Sequence, residues 1–335
     1  MKARPLLGLL FHAEKALDLV RTAMDLGVLE RLDAGPVTLD ALCADTGATR
    51  LRMYKFLDGL ESLGLVERRQ PRDALESASF VSREPLQPAA RSVLGAGSIE
   101  QDRNTYPWRE VHGALPAVLR GERSARFAWP PSSTEDIAAF ETSMAVGCTP
   151  AIESFRTHAD AIFGLRRRVR WLDVGGGDGT LAAAVLERHP EVEADVLNLP
   201  ATRSLVVRRA VDTGLGTRLG FVGADFLREP LPSGYDVLSF VRVLHDWPAE
   251  TARSLLQGAY AALPDGGTVV VCEELRTPDR LAVQFFWTYF LIGVDACVSR
   301  LREVEWYLDA LAAAGFRDAR VLPGPFDCVV ARKNP

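Results

Sequence analysis

The feature that most constrains this chain is a glycine-rich turn between a strand-like and a helix-like segment, Trp171-Leu-Asp-Val-Gly-Gly-Gly-Asp-Gly-Thr180. The apolar run Val169–Val174 leads into it, and the helical pattern Leu181–Arg188 follows. From there apolar runs and helical patterns alternate. Strands are expected at Ala194–Leu197, Leu219–Val222, Val237–Phe240, Thr268–Cys272 and Cys328–Arg332, and a helix at Ser204–Asp212. This alternation implies an α/β, Rossmann-like domain with a mostly parallel, doubly wound sheet. Ligands of such sheets bind beyond the carboxyl ends of the strands, near the point where strand order reverses.

The turn's chemistry narrows the ligand. Glycines let the backbone bend sharply and come close to a bound group, and the helix that follows offers free N–H groups at its positive end. A dinucleotide site wants GxGxxG to seat a pyrophosphate. Here the spacing is Gly175-x-Gly177-x-Gly179, and position 180 is Thr. Asp173 at the strand end repels phosphate but accepts from an ammonium group. S-adenosylmethionine (SAM) carries an ammonium, a sulfonium and no phosphate, so the turn reads as a SAM site in preference to a NAD site. Asn198, at the next strand end, is placed to hold the ribose hydroxyls. Asp225 is placed to accept from the adenine amino group, with Phe226 against the ring; a loop cap is the alternative for Asp225.

Val243-Leu-His-Asp-Trp247 follows the fourth strand and brings His245 to the same sheet edge. A neutral imidazole can take a proton from an acidic hydroxyl near physiological pH, and general base catalysis is worth about 10²–10⁴-fold. The base needs an orienting acceptor on its second nitrogen, and Glu273 and Glu274 both end the fifth strand. Asp246 orients the loop or caps the helix that begins near Pro248. Metal binding is not expected, because no second histidine lies near His245.

The first 95 residues read as helical. Leu6–Leu32 carries apolar residues at helical spacing, Thr38 is a cap for a helix at Leu39–Ala44, and Thr49 for one running to Leu63. With a short strand at Leu65–Glu67 this is the core of a winged helix. Arg50, Arg52 and Lys55 would let its second helix read DNA, but the net charge of −5 favours a structural, dimerising use and no nucleic-acid partner. No apolar run reaches the ~20 residues of a membrane span. The five cysteines are scattered, with no CxxC pair, which suits a reducing cytoplasm.

Together these residues resemble the class I SAM-dependent O-methyltransferases with an N-terminal winged-helix dimerisation domain, a family that includes plant caffeic acid O-methyltransferases and bacterial polyketide and antibiotic tailoring enzymes. The likeness rests on Leu172–Gly179, Val243–Trp247 and Ala312-Ala-Ala-Gly-Phe316. It implies that Gly175 touches the cofactor, that Phe140 and Met144 lie on a helix closing over cofactor and substrate, and that Cys148 stands where a serine meets the cofactor's amino-acid part. It also implies His245 as the base and Glu274 as one of two flanking glutamates. The chain departs from the pattern twice: Asn198-Leu-Pro stands where the family has Asp-Leu-Pro, and Leu301 where it has the second glutamate.

The expectation is therefore a winged-helix dimerisation domain over 1–95, a helical connector over 96–165 and a SAM-binding domain over 166–335. The activity is methyl transfer to a hydroxyl of a small aromatic or polyketide-like acceptor, in a homodimer; Trp108, Phe140, Trp287 and Phe290 are the residues to line the acceptor site, with plain core packing as the alternative for the aromatic rings. C- or N-methylation, a non-methylating reaction that retains SAM, and a DNA-binding regulator are the alternatives.

Overall fold

The computed structural model describes residues 3–69, 78–95, 115–124, 133–164, 168–277 and 301–334. The chain divides into two compact units, residues 1–106 and 107–335.

The first unit is helical in bulk and carries a small sheet. The expected Leu6–Leu32 helix is broken into Ala3–Phe11, Ala13–Asp25 and Val28–Asp33. Its second break is at Gly27, whose φ of 69° lies in the left-handed region that ends a helix. The Leu39–Thr46 helix begins where the Thr38 hydroxyl accepts the Ala41 N–H at 3.3 Å. The Arg50–Ser62 helix follows, but Thr49 makes no side-chain cap. Strands β1 (Val37–Thr38), β2 (Val66–Arg68) and β3 (Ser79–Ser82) pair antiparallel in the order β1-β3-β2. Leu29, Leu32, Leu42, Met53, Leu57 and Phe80 fill the core between helices and sheet. Asp33 ties the unit together, accepting from Ser82 Oγ and from the Leu86 and Gln87 amides.

The second unit is built on seven strands: β4 (Val169–Val174), β5 (Val192–Asn198), β6 (Leu219–Gly223), β7 (Val237–Val241), β8 (Thr268–Glu273), β9 (Arg317–Leu322) and β10 (Asp327–Arg332). Their order is β6-β5-β4-β7-β8-β10-β9. The first five are parallel, and β10 runs antiparallel to both β8 and β9. β9 is a strand that periodicity does not reveal: its side chains are half-buried or exposed, so the apolar run that marks β4 or β8 is missing.

Side chains alternate across the sheet, so each strand feeds two cores. Trp171, Val237, Val270 and Cys272 pack with the helices Thr149–Thr157, Thr180–Leu186 and Arg203–Asp212 on one face. Leu172, Leu238, Phe240, Val269 and Val271 pack with the helices Ala249–Ala262 and Val304–Ala314 on the other. The latter helix stops at Gly315, whose φ is 105°. Strand order reverses between β4 and β5 on one side and β7 on the other, so the carboxyl ends of β4, β5 and β7 converge where the glycine turn lies. No helix among the described residues is long and apolar enough to cross a membrane.

Candidate active site

The glycine turn leaves β4 with Gly175, Gly177 and Gly179 all at positive φ (74°, 59° and 83°). A Cβ on Gly175 would lie 2.8 Å from Val243 Cγ2, and one on Gly176 would lie 2.5 Å from Asp173 Oδ2. Glycine is thus required by backbone conformation and by space. Asp178 closes the turn: its carboxylate accepts the Thr180 N–H at 2.9 Å and pairs with Arg209.

Asp173 lies beneath this turn and is 1% exposed. One oxygen accepts from Ser239 Oγ at 2.6 Å, and that hydroxyl in turn accepts from Trp171 Nε1 at 2.8 Å. The other oxygen is buried with no hydrogen-bond partner among the described residues. Burial pushes the carboxyl up to about 7, and only the Ser239 bond works against it. A buried acceptor left open beneath a left-handed glycine turn suits a cationic group lying across that turn. This is the fit expected of SAM's amino-acid end.

Phe140, Glu141, Met144, Cys148, Asn198, Phe226, Arg242 and Trp247 line the same cleft. Phe226 reaches within 3.7 Å of a Cβ built on Gly175 and packs edge-on to Trp247. Burial raises the Cys148 thiol. Asp225 is occupied with its own turn, accepting the Leu227 N–H at 3.0 Å and standing 3.5 Å from Arg228, so the loop cap describes its contacts. Trp108, Trp287 and Phe290 lie outside the described residues.

His245 sits in a short 3₁₀ turn, Leu244–Asp246, after β7 and is 5% exposed. Its Nδ1 is 2.5 Å from Glu273 Oε2. The other Glu273 oxygen accepts from the Val243, Leu244 and His245 amides at 3.2, 2.9 and 3.4 Å. This corrects the assignment of Glu274 as the partner. The physical reason is alternation along β8: Glu273 shares a face with Val269 and Val271, the face on which Leu244 packs. A slip of one residue moves a side chain to the opposite face.

Two further residues complete the turn. Asp246 Oδ1 stands 3.3 Å from His245 Nε2, so the imidazole lies between two carboxylates. Burial alone would lower the His245 pKa, but the Glu273 and Asp246 charges outweigh it and hold the ring well above 6.5. Arg302, buried and next to Leu301, donates to the carbonyls of Leu244 (2.7 Å) and Trp247 (2.5 Å) and lies 4.4 Å over the Trp306 ring. Glu273 therefore satisfies the N–H groups of the His245 turn and Arg302 its C=O groups. Arg302 and Arg242 escape the sequence reading. Arg242 holds a strained φ of 56° between β7 and the His245 turn, with its guanidinium near Met144. Arg302 is buried and Arg242 half-buried, and neither environment is visible in a single arginine of the sequence.

Comparison with known proteins agrees with this geometry. Residues 96–317 match the family model described as an O-methyltransferase domain. N,N-dimethyltransferase OxyT of Streptomyces rimosus is 30% identical over 94% of this chain and 91% of its own length. Demethylspheroidene O-methyltransferase of Cereibacter sphaeroides is 29% identical over 90% of this chain and 78% of its own. Among solved structures, the S-adenosylmethionine-dependent methyltransferase SibL in its apo form superposes with a TM-score of 0.67 at 22% identity, covering 98% of this chain and 99% of that one. With the glycine turn, the buried acid beneath it and the histidine turn on one sheet edge, the chain belongs to the O-methyltransferase family and is a SAM-dependent methyltransferase.

Proposed function

We propose that this enzyme methylates a hydroxyl on a small aromatic or polyketide-like acceptor, with His245 as the general base and Glu273 as the residue that orients it. The observation that carries this reading is the buried His245–Glu273 pair beside the SAM cleft. A carboxylate on Nδ1 fixes the tautomer that leaves Nε2 to meet an acceptor proton. In the resting protein Nε2 faces Asp246 instead, so the acceptor hydroxyl must take Asp246's place on that nitrogen. SAM supplies an activated methyl group. The protein's task is to hold the nucleophile in line with it, which well-oriented sites achieve at about 3–3.5 Å, and to remove the proton as the oxygen loses its electron pair to the new bond.

Asp173 supports the ammonium end of SAM in this reading, the glycine turn its backbone approach, and Phe226 the adenine face. Arg302 is a positioning residue that holds the turn in the absence of a glutamate at position 301. OxyT's name makes N-methylation the second reading. An amine that reaches the site unprotonated has little need of a base, so two carboxylates arranged around one histidine favour the hydroxyl. The homodimer belongs to the same proposal. Leu7, Leu10 and Phe11 expose 65%, 59% and 84% of their surface on the first helix, an apolar stripe suited to a second copy. The SAM requirement and the scattered cysteines suit a cytoplasmic enzyme.

The test is a panel of phenols, naphthols and matched aryl amines incubated with SAM, read by mass spectrometry for the methylated atom. O-methylated product from the hydroxylated members supports the proposal. Product from the amines alone replaces it with N-methylation.

A further inference from the structure

Asn198 stands where the family carries a carboxylate, and the structure contains a carboxylate that reaches the same spot from another element. Glu141 lies on the Thr134–Val146 helix, which begins where Ser133 Oγ accepts the Asp136 N–H at 3.0 Å. It is 7% exposed. Its Oε1 accepts from Asn198 Nδ2 at 3.3 Å, and its Oε2 would stand 2.9 Å from a Cβ on Gly177. The Asn198 amide is committed at both ends, since its Oδ1 accepts the Leu199 N–H at 2.8 Å. Glu141 therefore presents a carboxyl acceptor at the carboxyl end of β5, beside the glycine turn; burial, with the like charge of Asp178, pushes it up to about 7 against the lowering effect of the Asn198 bond, so a pair of hydroxyl donors would favour its ionised form.

A ribose offers two adjacent hydroxyl donors, and these bind most strongly to an ionised acceptor. An asparagine whose oxygen is already engaged is a poor substitute. A glutamate supplies two oxygens, one to rest on the Asn198 amide and one to face the ligand. Arg242 lies in the same cleft, and Asp178 carries a like charge near Glu141, already paired with Arg209.

We infer that Glu141 and Asn198 together form the ribose-binding pair for SAM, the carboxylate having moved from the end of β5 to the helix that packs over it. The inference rests on the enzyme's use of SAM and is independent of His245 and of the acceptor. It predicts that the carboxylate can be moved back: E141Q removes it, and N198D in the E141Q background restores one from the strand.

The experiment is calorimetric binding of S-adenosylhomocysteine and of its 2′,3′-dideoxy analogue, with no turnover involved. The wild-type enzyme is expected to bind the parent at least tenfold more tightly than the analogue. E141Q is expected to weaken parent binding about tenfold while leaving the analogue nearly unchanged, and E141Q/N198D to regain most of the loss. Circular dichroism and melting temperature check that each variant folds. Equal loss for parent and analogue would assign Glu141 to another part of the ligand or to packing and overturn the inference. So would unchanged parent binding in E141Q. If E141Q fails to fold, the wild-type comparison still decides: equal affinity for parent and analogue would show that the hydroxyls meet no acceptor.

Discussion

At the scale of single residues, the proposed chemistry turns on how His245 is charged. Its two carboxylate neighbours raise its pKa well above 6.5 against the opposing effect of burial. A general base works only when neutral, so the sign follows directly. Below its folded pKa the ring is an imidazolium and idle; turnover rises as pH climbs through that value. The acid limb of kcat should therefore lie above pH 6.5. Asp246→Asn removes one of the two charges and should move that limb to lower pH, which a kcat–pH profile checks directly. Glu273→Gln removes the charge on Nδ1 and weakens the clamp on three backbone amides. A loss of about 10–100-fold in kcat, with little change in S-adenosylhomocysteine affinity, is expected for an outer residue that orients a reacting one. The order of strands along the sequence is enough to bring the turn carrying His245 and Asp246 to this edge. Sequence does not choose between Glu273 and Glu274, and the family likeness points to the second, because adjacent glutamates at a strand end differ only in the face they occupy.

At the scale of elements, the glycine turn and the histidine turn are set by different means. Backbone conformation sets the first: three left-handed glycines in five residues allow no side chain. Gly175→Ala forces φ of 74° on a residue with a Cβ, costing about 1–2 kcal/mol, and drives that Cβ against Val243. Binding of S-adenosylhomocysteine should weaken at least tenfold by calorimetry, while melting temperature falls by only a few degrees. Such a turn is legible in sequence because glycine spacing is itself the constraint. The histidine turn is held by side chains distant in sequence, Glu273 from β8 and Arg302 from before the Val304–Ala314 helix. That pairing appears only once the sheet brings the two together. β9 escaped for a related reason, as it lies at the sheet edge with half-exposed side chains and has no apolar alternation to announce it.

At the scale of the whole molecule, the sheet was largely legible, since central strands buried on both faces must be apolar throughout. β8 is buried along its full length, as its sequence Thr-Val-Val-Val-Cys-Glu requires. The first unit keeps its own core of leucines, Met53 and Phe80, and leaves an apolar stripe on its first helix. If that stripe joins two copies, Phe11→Asp should shift the protein from dimer to monomer in sedimentation equilibrium without changing the helical content. In the proposed reaction a buried histidine beside SAM removes the acceptor's proton. Single-turnover methyl transfer with His245→Ala, saturated with SAM and a phenolic acceptor, tests it most directly. A fall of about 10²–10⁴-fold in rate is expected, with S-adenosylhomocysteine affinity nearly intact. A rate within a few-fold of wild type would contradict it and leave orientation alone as the source of catalysis.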